Sequence, residues 1–402
     1  MSNYLRFIPA GLLLWTMATG CTGNDAIPEA PDHILALENV TIYSSADVEN
    51  ADTLKLVREQ IFSDTDENPI TTFGAVIADS LGRVYIGDRN QRTVHLFEQD
   101  GEYQGRIGRE GDGPGEFRWV GAMDIHDNGL YVYDPNGGKI NLFEVGTGVG
   151  NLPEYETSIV IGGDSWNDFP EEGFMNPGFH SVRSDGSLFL TSRTSPFLYR
   201  ENPDSLGVSR YYRWTGDSSE QPEVFFEISE PKYIVTDMFF IPPQFATRGL
   251  ATISSDDQIY SANTGEFLIH LHDAEGNRLS SFYYPFEKHE LTRSEAVNSV
   301  DDIDQLRDAV QSMELPGTWP ALRQMIADNS GRVWISVYTG SENATEWWVL
   351  EESGQLLARF KLPDGMSIAR VNKSHLYTRE TDEETGLQKV VRYRIEIGDE
   401  EA

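Results

Sequence analysis

The hydrophobic positions of this chain recur in one unit: two short strands joined by a tight polar turn, a connection, and two more strands joined by an Asp/Gly turn. The clearest copy spans residues 75–86 and 94–103, where alternating Val, Ile, Tyr and Leu supply half-buried strand faces. Asp, Asn and Gly occupy the turns because they tolerate the positive φ that tight hairpins require. The unit therefore predicts a four-stranded antiparallel sheet.

The first hairpin of this unit can be aligned with five later stretches, which gives six copies. These stretches are residues 125–131, 182–189, 253–260, 326–334 and 371–377, and parts of the second hairpin recur at 142–144, 269–276, 348–354 and 391–394. Four-stranded units repeated around an axis form a β-propeller, which buries each sheet against its neighbours. The sequence thus predicts an all-β, six-bladed β-propeller with four-stranded antiparallel blades over residues 37–402.

The last unit, residues 367–397, has three clear strands, whereas residues 52–61 supply a lone strand ahead of blade one. We expect this N-terminal strand to complete the last blade, because closing the ring removes an open edge that would invite aggregation.

One helical insertion is predicted between blades four and five. Thr292 and Glu295 form a capping box, and Pro316 with Gly317 ends the helical pattern. The apolar residues at helical spacing are Val297, Val300, Ile303, Leu306, Val310 and Met313. We expect this stripe to pack on the propeller.

Residues 105–117, GRIGREGDGPGEF, resemble the blade-linking signature of NHL-repeat propellers, and residues 88–97 resemble their second-to-third-strand segment. Nearly the whole chain after Thr41 is similar to the NHL-like, six-bladed propeller lipoproteins of bacteria. These motifs are specific for the fold only. A phosphate site at residues 111–115 is disfavoured, because an acidic residue and a proline stand where backbone amides would face phosphate.

The only cysteine, Cys21, directly follows an apolar leader that carries one positive charge, Arg6. The apolar run, residues 7–17, is too short to span a bilayer and ends in the small residues that a signal peptidase accepts. We predict a lipoprotein with residues 1–20 as signal peptide, Cys21 as the lipidated residue and 21–36 as a solvated tether. Thr22 favours the outer membrane. A buried structural cysteine is the alternative, and it requires the leader to be core.

The chain carries 31 basic and 65 acidic residues, a formal net charge of −34. Such a surface repels phosphate backbones and anionic head groups, which argues against nucleic acid as a partner. Contact with a membrane is therefore expected through the lipid anchor only. One cysteine allows no intramolecular disulfide, and we expect a monomer.

The candidate site lies on one face of the predicted ring. Long linkers between blades, at residues 162–177, 216–247 and 285–320, share this linker face with the loops between second and third strands. The opposite, hairpin face has short turns, and binding usually resides on loops held by a rigid scaffold. The cationic and aromatic residues of the linker face are Arg89, Arg118, Trp119, Arg193, Arg248, Trp319 and Arg323.

We predict that these residues line a ligand-binding mouth. Arginine and aromatic side chains suit the carboxylates of a peptide, an acidic sugar or an envelope protein, through bidentate pairing and stacking. The alternative for each arginine is neutralisation of neighbouring acidic residues.

Catalytic groups are sparse in the sequence. His270 and His272 share a strand face, yet they fall on a third strand, away from the axis. The aligned inner strands offer Val76, Met123, Ser181, Thr252, Met325 and Arg370, which is not a metal-binding set. We predict a ligand-binding or protein-interaction module and assign no catalytic residue, metal or cofactor. A hydrolase or lyase working in the central funnel and a structural scaffold stay open.

Overall fold

The computed structural model describes residues 30–65, 67–146, 148, 150–161, 172–201, 205–217, 219–340, 343–382 and 384–398. The predicted signal peptide, Cys21, residues 21–29 of the tether and residues 162–171 of the first long linker lie outside the described residues. Within the described ranges, no helix is long and apolar enough to cross a membrane.

Six antiparallel blades follow one another along the chain, which confirms the predicted all-β propeller. Blade one contains the strands Phe73–Ala78, Val84–Asp88, Thr93–Phe97 and Tyr103–Ile107. Blade two contains Met123–His126, Gly129–Asp134, Lys139–Glu144 and Glu154–Val160. Blade three contains Gly178–Val182, Leu188–Arg193, Val208–Trp214 and Glu223–Ser229. Blade four contains Gly249–Ile253, Ile259–Asn263, Leu268–His272 and Arg278–Tyr283. Blade five contains Leu322–Ala327, Val333–Val337, Ala344–Leu350 and Leu356–Pro363. Blade six contains Met366–Val371, His375–Thr381 and Gln388–Ile397.

The N-terminal strand Asp52–Phe62 is the fourth strand of blade six, as predicted. It pairs antiparallel with Gln388–Ile397, from Leu54 opposite Ile397 to Phe62 opposite Val390. Its first two residues also pair in parallel with Ala358 and Arg359 of blade five, which joins blades five and six into one eight-stranded sheet. The ring is therefore closed by hydrogen bonds between the two ends of the propeller.

Several short elements supplement the blades. Val40–Ile42 pairs in parallel with Arg278–Tyr283, so blade four has a fifth strand that the sequence pattern does not predict. The remaining short elements are the strand pairs Arg109–Glu110 with Glu116–Phe117 and Ile234–Val235 with Phe240–Ile241, and the helices Asp32–Leu35, Ser45–Glu49 and Leu198–Glu201.

The insertion between blades four and five is helical, as predicted, but it contains two helices, Arg293–Asn298 and Asp304–Ser312. The predicted capping box is present: the backbone N–H of Glu295 donates to Thr292 Oγ1 at 3.2 Å, and that of Thr292 donates to Glu295 Oε2 at 2.8 Å. The apolar stripe packs against linker residues. Its buried core contains Ile234, Phe245, Ala296, Val300, Leu306, Val310 and Trp319.

Two boundaries differ from the sequence prediction. The predicted linker 216–247 contains the outer strand of blade three, Glu223–Ser229, so the linker proper follows that strand. That strand is largely solvent-exposed and lacks the alternation of a half-buried strand, which explains why the pattern conceals it. At the N-terminus, Ile34 is fully buried, so packing begins before residue 37, the predicted start of the propeller.

The first hairpins carry a repeated turn that fastens neighbouring blades. In blade one, Arg83 Nε donates to Asp79 Oδ2 at 2.6 Å, and Arg83 Nη1 donates to the carbonyl of Gly146 in blade two at 2.9 Å. In blade five, Arg332 Nε donates to Asp328 Oδ2 at 2.7 Å and its Nη2 reaches a carbonyl of blade six at 2.7 Å. The sequence Asp-x-x-Gly-Arg thus closes a hairpin and joins two blades.

The first strands lie at the centre of the ring, where those of neighbouring blades contact each other. In blades one, three, five and six, a β-bulge interrupts their pairing with the second strand. The bulges include His180 in blade three and Arg323 in blade five. Because a bulge changes the direction of a side chain, these positions are aimed differently from regular strand residues.

Candidate functional site

The seven predicted residues all lie at the linker-face end of their blades. Arg89 follows the second strand of blade one, Arg118 and Trp119 lie in the first linker, and Arg193 ends the second strand of blade three. Arg248 precedes the first strand of blade four, while Trp319 and Arg323 lie before and within the first strand of blade five. The common face is therefore as predicted, but the residues do not form one cluster.

Arg248 and Arg323 form a pair of like charges between blades four and five. The backbone N–H of Arg248 donates to Thr264 Oγ1 at 2.9 Å, which ties the residue to the second-to-third-strand loop of its own blade. Arg323 occupies the bulge of the next inner strand. Burial lowers the pKa of Arg323, the Tyr338 hydroxyl opposes this, and the neighbouring Arg248 lowers the pKa further. The two lowering effects, burial and the charge of Arg248, indicate that the Arg323 guanidinium is partly desolvated and near a second cation.

Tyr338 connects two of the predicted residues, and the sequence pattern does not identify it. The guanidinium carbon of Arg323 lies 4.7 Å from the centre of the Tyr338 ring. Trp319 stacks on the same ring at 4.6 Å with an interplanar angle of 21°. Trp319 itself is buried in the core of the insertion, so its predicted place in the mouth is wrong. Trp319 therefore contacts Tyr338, which in turn contacts Arg323.

A second pair of like charges, Arg89 and Arg379, lies where blade six meets blade one. Arg379 is in the second strand of blade six, and its Nη2 donates to the carbonyl of Gly74 in blade one. The Arg89 side chain packs beside the same glycine. Burial lowers the pKa of Arg379, and the charge of Arg89 lowers it further. Sequence reasoning missed Arg379 because it lies within the strand His375–Thr381 and not in a linker or loop.

The other predicted residues have protein partners. Arg118 forms an ion pair with Asp112, and burial of that arginine is slight. Its backbone N–H and that of Trp119 donate to the carboxylate of Asp134 at 2.8 and 3.1 Å, which fixes the exposed indole of Trp119 on the linker face. Arg193 lies beside the buried Tyr233. The Asp112 carboxylate therefore neutralises Arg118, which is the alternative to a ligand-binding role.

Within the described part of the chain, the two pairs lack the acidic partner that several other arginines have. Among the described residues, no carboxylate lies within ion-pair distance of Arg89, Arg248, Arg323 or Arg379. By contrast, Arg83, Arg332 and Arg394 each contact a carboxylate oxygen at 2.6 to 3.1 Å. In a protein of net charge −34, the linker face thus presents cations that the described part of the chain does not neutralise.

The six positions that the aligned repeats assign to the inner strands can now be located. Val76, Met123, Ser181, Thr252, Met325 and Arg370 all lie on first strands. Across the described ranges, no group of three or more His, Cys, Asp or Glu side chains is placed to hold a metal ion. His270 Nδ1 lies 2.8 Å from Ser281 Oγ and His272 Nε2 lies 2.9 Å from Ser261 Oγ, so both rings have partners within blade four.

Two adjoining cavities open at the hairpin face, where the sequence predicts no site. The wider one, about 770 Å³, lies between the turns of blades one and six. The narrower one, about 240 Å³, is lined by the inner strands of blades two to six. The residues common to both are Ile125, Ser255, Asn329, Arg370 and Val371.

Comparison with known proteins supports the fold. A protein-family model described as a 6-bladed beta-propeller matches residues 40–157. No curated protein matches this chain. A structure of a member of the DUF4221 family from Bacteroides vulgatus is 12% identical, with a TM-score of 0.52 over 87% of this chain and 100% of the other.

Two further structures are more distant. A protein from Bacteroides fragilis described as exported is 11% identical, with a TM-score of 0.45 over 87% of this chain and 98% of the other. A virginiamycin B lyase from Staphylococcus aureus is 12% identical, with a TM-score of 0.41 over 85% and 99% of the two chains. At such identities the likeness concerns the fold alone. The six-bladed propeller is confirmed, whereas membership of the NHL-like lipoproteins stays a prediction.

Proposed function

We propose that this protein is a ligand-binding or protein-interaction module that takes an acidic partner on its linker face. The partner presents carboxylates and is a peptide, an acidic sugar or an envelope protein. The observation that carries this proposal is Arg323: a partly buried guanidinium group, held 4.7 Å from the centre of the Tyr338 ring, whose pKa is lowered by burial and by the charge of Arg248, with no carboxylate beside it among the described residues.

The physical reason is the free energy of the unoccupied pair. The charges of Arg248 and Arg323 repel each other, and burial of Arg323 removes part of the water that would screen this repulsion. A carboxylate that approaches them accepts paired hydrogen bonds from the planar guanidinium group and relieves the repulsion. The exposed ring of Trp119 and the pair Arg89 and Arg379 extend this chemistry around the same face.

A binding screen tests the proposal. The full chain is tested against oligogalacturonides and Asp/Glu-rich peptides, beside the double variant Arg248→Glu with Arg323→Glu. We expect the wild type to bind a member of these sets and the double variant to lose that binding while keeping its melting temperature within a few degrees. A ligand whose affinity is unchanged in the double variant would contradict the proposed mouth.

The same screen addresses the alternative function, a hydrolase or lyase. Each bound ligand is recovered after incubation and its mass is measured. Recovery of the intact ligand supports a binding module. A cleaved product that the wild type forms and a boiled sample does not would instead favour the enzyme.

We also propose that the chain is anchored in the cell envelope, in the outer membrane, through lipid on Cys21. The support for the anchor is the apolar leader that ends at Cys21. His33, near the start of the described chain, lies 3.0 Å from Glu266 in a linker-face loop of blade four. A tether would therefore leave the propeller near the linker face. Membrane fractionation of wild type and Cys21→Ser tests this: the wild type should sediment with membranes, and a wild type that is soluble with residues 1–20 attached would refute it.

A further inference from the structure

The two cavities at the hairpin face meet at one charged side chain, Arg370. This residue lies at the end of the inner strand of blade six and lines both cavities. The side chain is 46% exposed, and its ion pair among the described residues joins its Nη2 to Asp124 Oδ1 at 3.9 Å. At that separation the two groups share no short hydrogen bond, so the guanidinium donors of Arg370 are available to a ligand.

Asp124 holds its own position without Arg370. Its Oδ2 accepts the backbone N–H of Val182 in blade three at 2.8 Å, and its side chain is almost fully buried. Burial raises the pKa of Asp124, while Arg370 acts in the opposite direction. Asp124 therefore borders one side of the guanidinium without a short hydrogen bond to it, and the cavity side stays open.

The other carboxylates near the cavity are engaged in their own contacts. Asp79 is bound by the buried Arg83, and Asp328 by Arg332 and by the indole N–H of Trp334 at 3.0 Å. Glu59 contacts the guanidinium groups of Arg392 and Arg394 and the imidazole of His375, all in blade six. Asp127 remains, with a carboxylate that is 91% exposed and directed to His126 at 3.5 Å. These acids compete little for Arg370.

The remaining lining is cationic or neutral and rich in hydrogen-bonding groups. Lys373 is exposed on the turn of blade six, and its backbone N–H donates to Asn329 Oδ1 at 2.6 Å. Ser255 and Ser374 line the wider cavity, and Thr252 lines the narrower one. His180 also lines the narrower cavity. A volume of about 770 Å³ lies within the range of about 300–1,000 Å³ that small-molecule sites occupy.

We propose that the hairpin-face cavity is a second binding site, specific for a small sugar acid whose carboxylate is held by Arg370 and Lys373. Arginine binds a carboxylate through two parallel hydrogen bonds, and lysine adds a point charge. The serine, threonine and asparagine groups supply partners for the sugar hydroxyls. The site is distinct from the linker-face mouth, because it opens at the opposite end of the ring.

Titration calorimetry of the full chain with D-glucuronate and D-gluconate tests this site, with D-glucose as the uncharged comparison. We expect saturable binding of at least one acid, and binding of glucose at least tenfold weaker. Arg370→Gln should weaken the acid at least tenfold. Since Arg370→Gln also removes the contact with Asp124, Lys373→Gln is the second variant; its side chain is exposed, and we expect a severalfold loss of affinity without loss of folding.

Arg248→Gln is the control for the other face. Its affinity for the sugar acid should equal that of the wild type. Absence of binding by both acids, or equal affinity in wild type, Arg370→Gln and Lys373→Gln, would overturn the proposal. If Arg248→Gln alone loses the acid, the ligand sits on the linker face, which refutes this second site and leaves the proposed function intact.

Discussion

The guanidinium group of Arg323 lies 4.7 Å from the centre of the Tyr338 ring. Tyr338 in turn stacks on Trp319, which belongs to the buried core of the helical insertion. The insertion thus determines where Arg323 presents its charge, and Arg248 of the neighbouring blade lies beside it. The packing of this long insertion thus positions a cation of the linker face.

The repulsion between Arg248 and Arg323 predicts that removing one charge stabilises the protein without ligand. We expect Arg248→Gln to raise the melting temperature and to increase the free energy of unfolding by up to about 1 kcal/mol. The reason is that the guanidinium of Arg323 then no longer has a second cation near it. Differential scanning calorimetry measures this. Arg278→Gln, which removes an exposed charge in the same blade, is the control and should leave the melting temperature unchanged. A lower melting temperature for Arg248→Gln would contradict the account.

Ring closure predicts that the N-terminal strand is essential for folding. A chain that starts at residue 63 lacks the strand Asp52–Phe62 and exposes the edge of Gln388–Ile397. We expect it to aggregate or to melt far below a chain that starts at residue 30. Equal melting temperatures for the two chains would refute the closure.

A point variant tests the same strand more gently. Leu54 is 4% exposed and packs in the core shared by blades five and six. Leu54→Ala should lower the free energy of unfolding by about 2–5 kcal/mol, as for other buried leucines. Leu387→Ala, at a position that is 61% exposed, should change it by less than about 0.5 kcal/mol. Denaturant titration of both variants gives the comparison.

The repeated turn of the first hairpins predicts a cost for losing its arginine. Arg83 is buried, pairs with Asp79 at 2.6 Å and reaches Gly146 of blade two. Because Arg83→Gln leaves the Asp79 carboxylate without its charged partner, we expect a loss of about 3–5 kcal/mol in unfolding free energy. Arg109→Gln, whose arginine is 81% exposed in its pair with Glu116, should cost less than about 1 kcal/mol. Similar losses for the two variants would show that the turn is not a fastening between blades.

Because buried histidines have lowered pKa values, we expect acid to destabilise the protein. Burial lowers the pKa of His95 to about 4, with Asp88 opposing and Arg106 assisting this shift, and burial lowers the pKa of His180 and His270 to about 4 as well. The unfolded chain binds these protons near pH 6.5 and the folded protein only near pH 4. Stability should therefore fall as the pH decreases from about 7 to about 4.

His95→Gln tests the sign of this dependence. Its unfolding free energy should fall less steeply between pH 7 and pH 4 than that of the wild type, even if it is lower at pH 7. Identical slopes for His95→Gln and the wild type would contradict the prediction. Urea titrations at several pH values supply the slopes.

The sequence predicts the fold well where local chemistry determines structure. Asp, Asn and Gly place the turns of the first hairpins, and Thr292 with Glu295 starts the insertion, because these residues act on their own backbone. The strand Glu223–Ser229 escapes prediction because its exposure leaves no buried face to create an alternating pattern. The parallel pairing of Val40–Ile42 with Ser281, Phe282 and Tyr283 joins distant parts of the chain and has no local signal.

The candidate site is predicted less completely, because the direction of a side chain depends on tertiary context. The face and the pair Arg248 and Arg323 could be predicted from loop lengths and charge. Trp319 could not be distinguished from an exposed aromatic, since its burial depends on how the insertion folds back on Tyr338. Arg379 and Arg370 lie within strands, and only the arrangement of the blades shows which end of the ring each one reaches.

The central claim is that an acidic partner binds the linker face through Arg248 and Arg323. Its most direct test is the affinity of the acidic ligand from the screen for wild type, the Arg248→Glu/Arg323→Glu double variant and Arg370→Gln. The account predicts at least a tenfold loss in the double variant and wild-type affinity in Arg370→Gln. Wild-type affinity in the double variant, with the loss confined to Arg370→Gln, would contradict it.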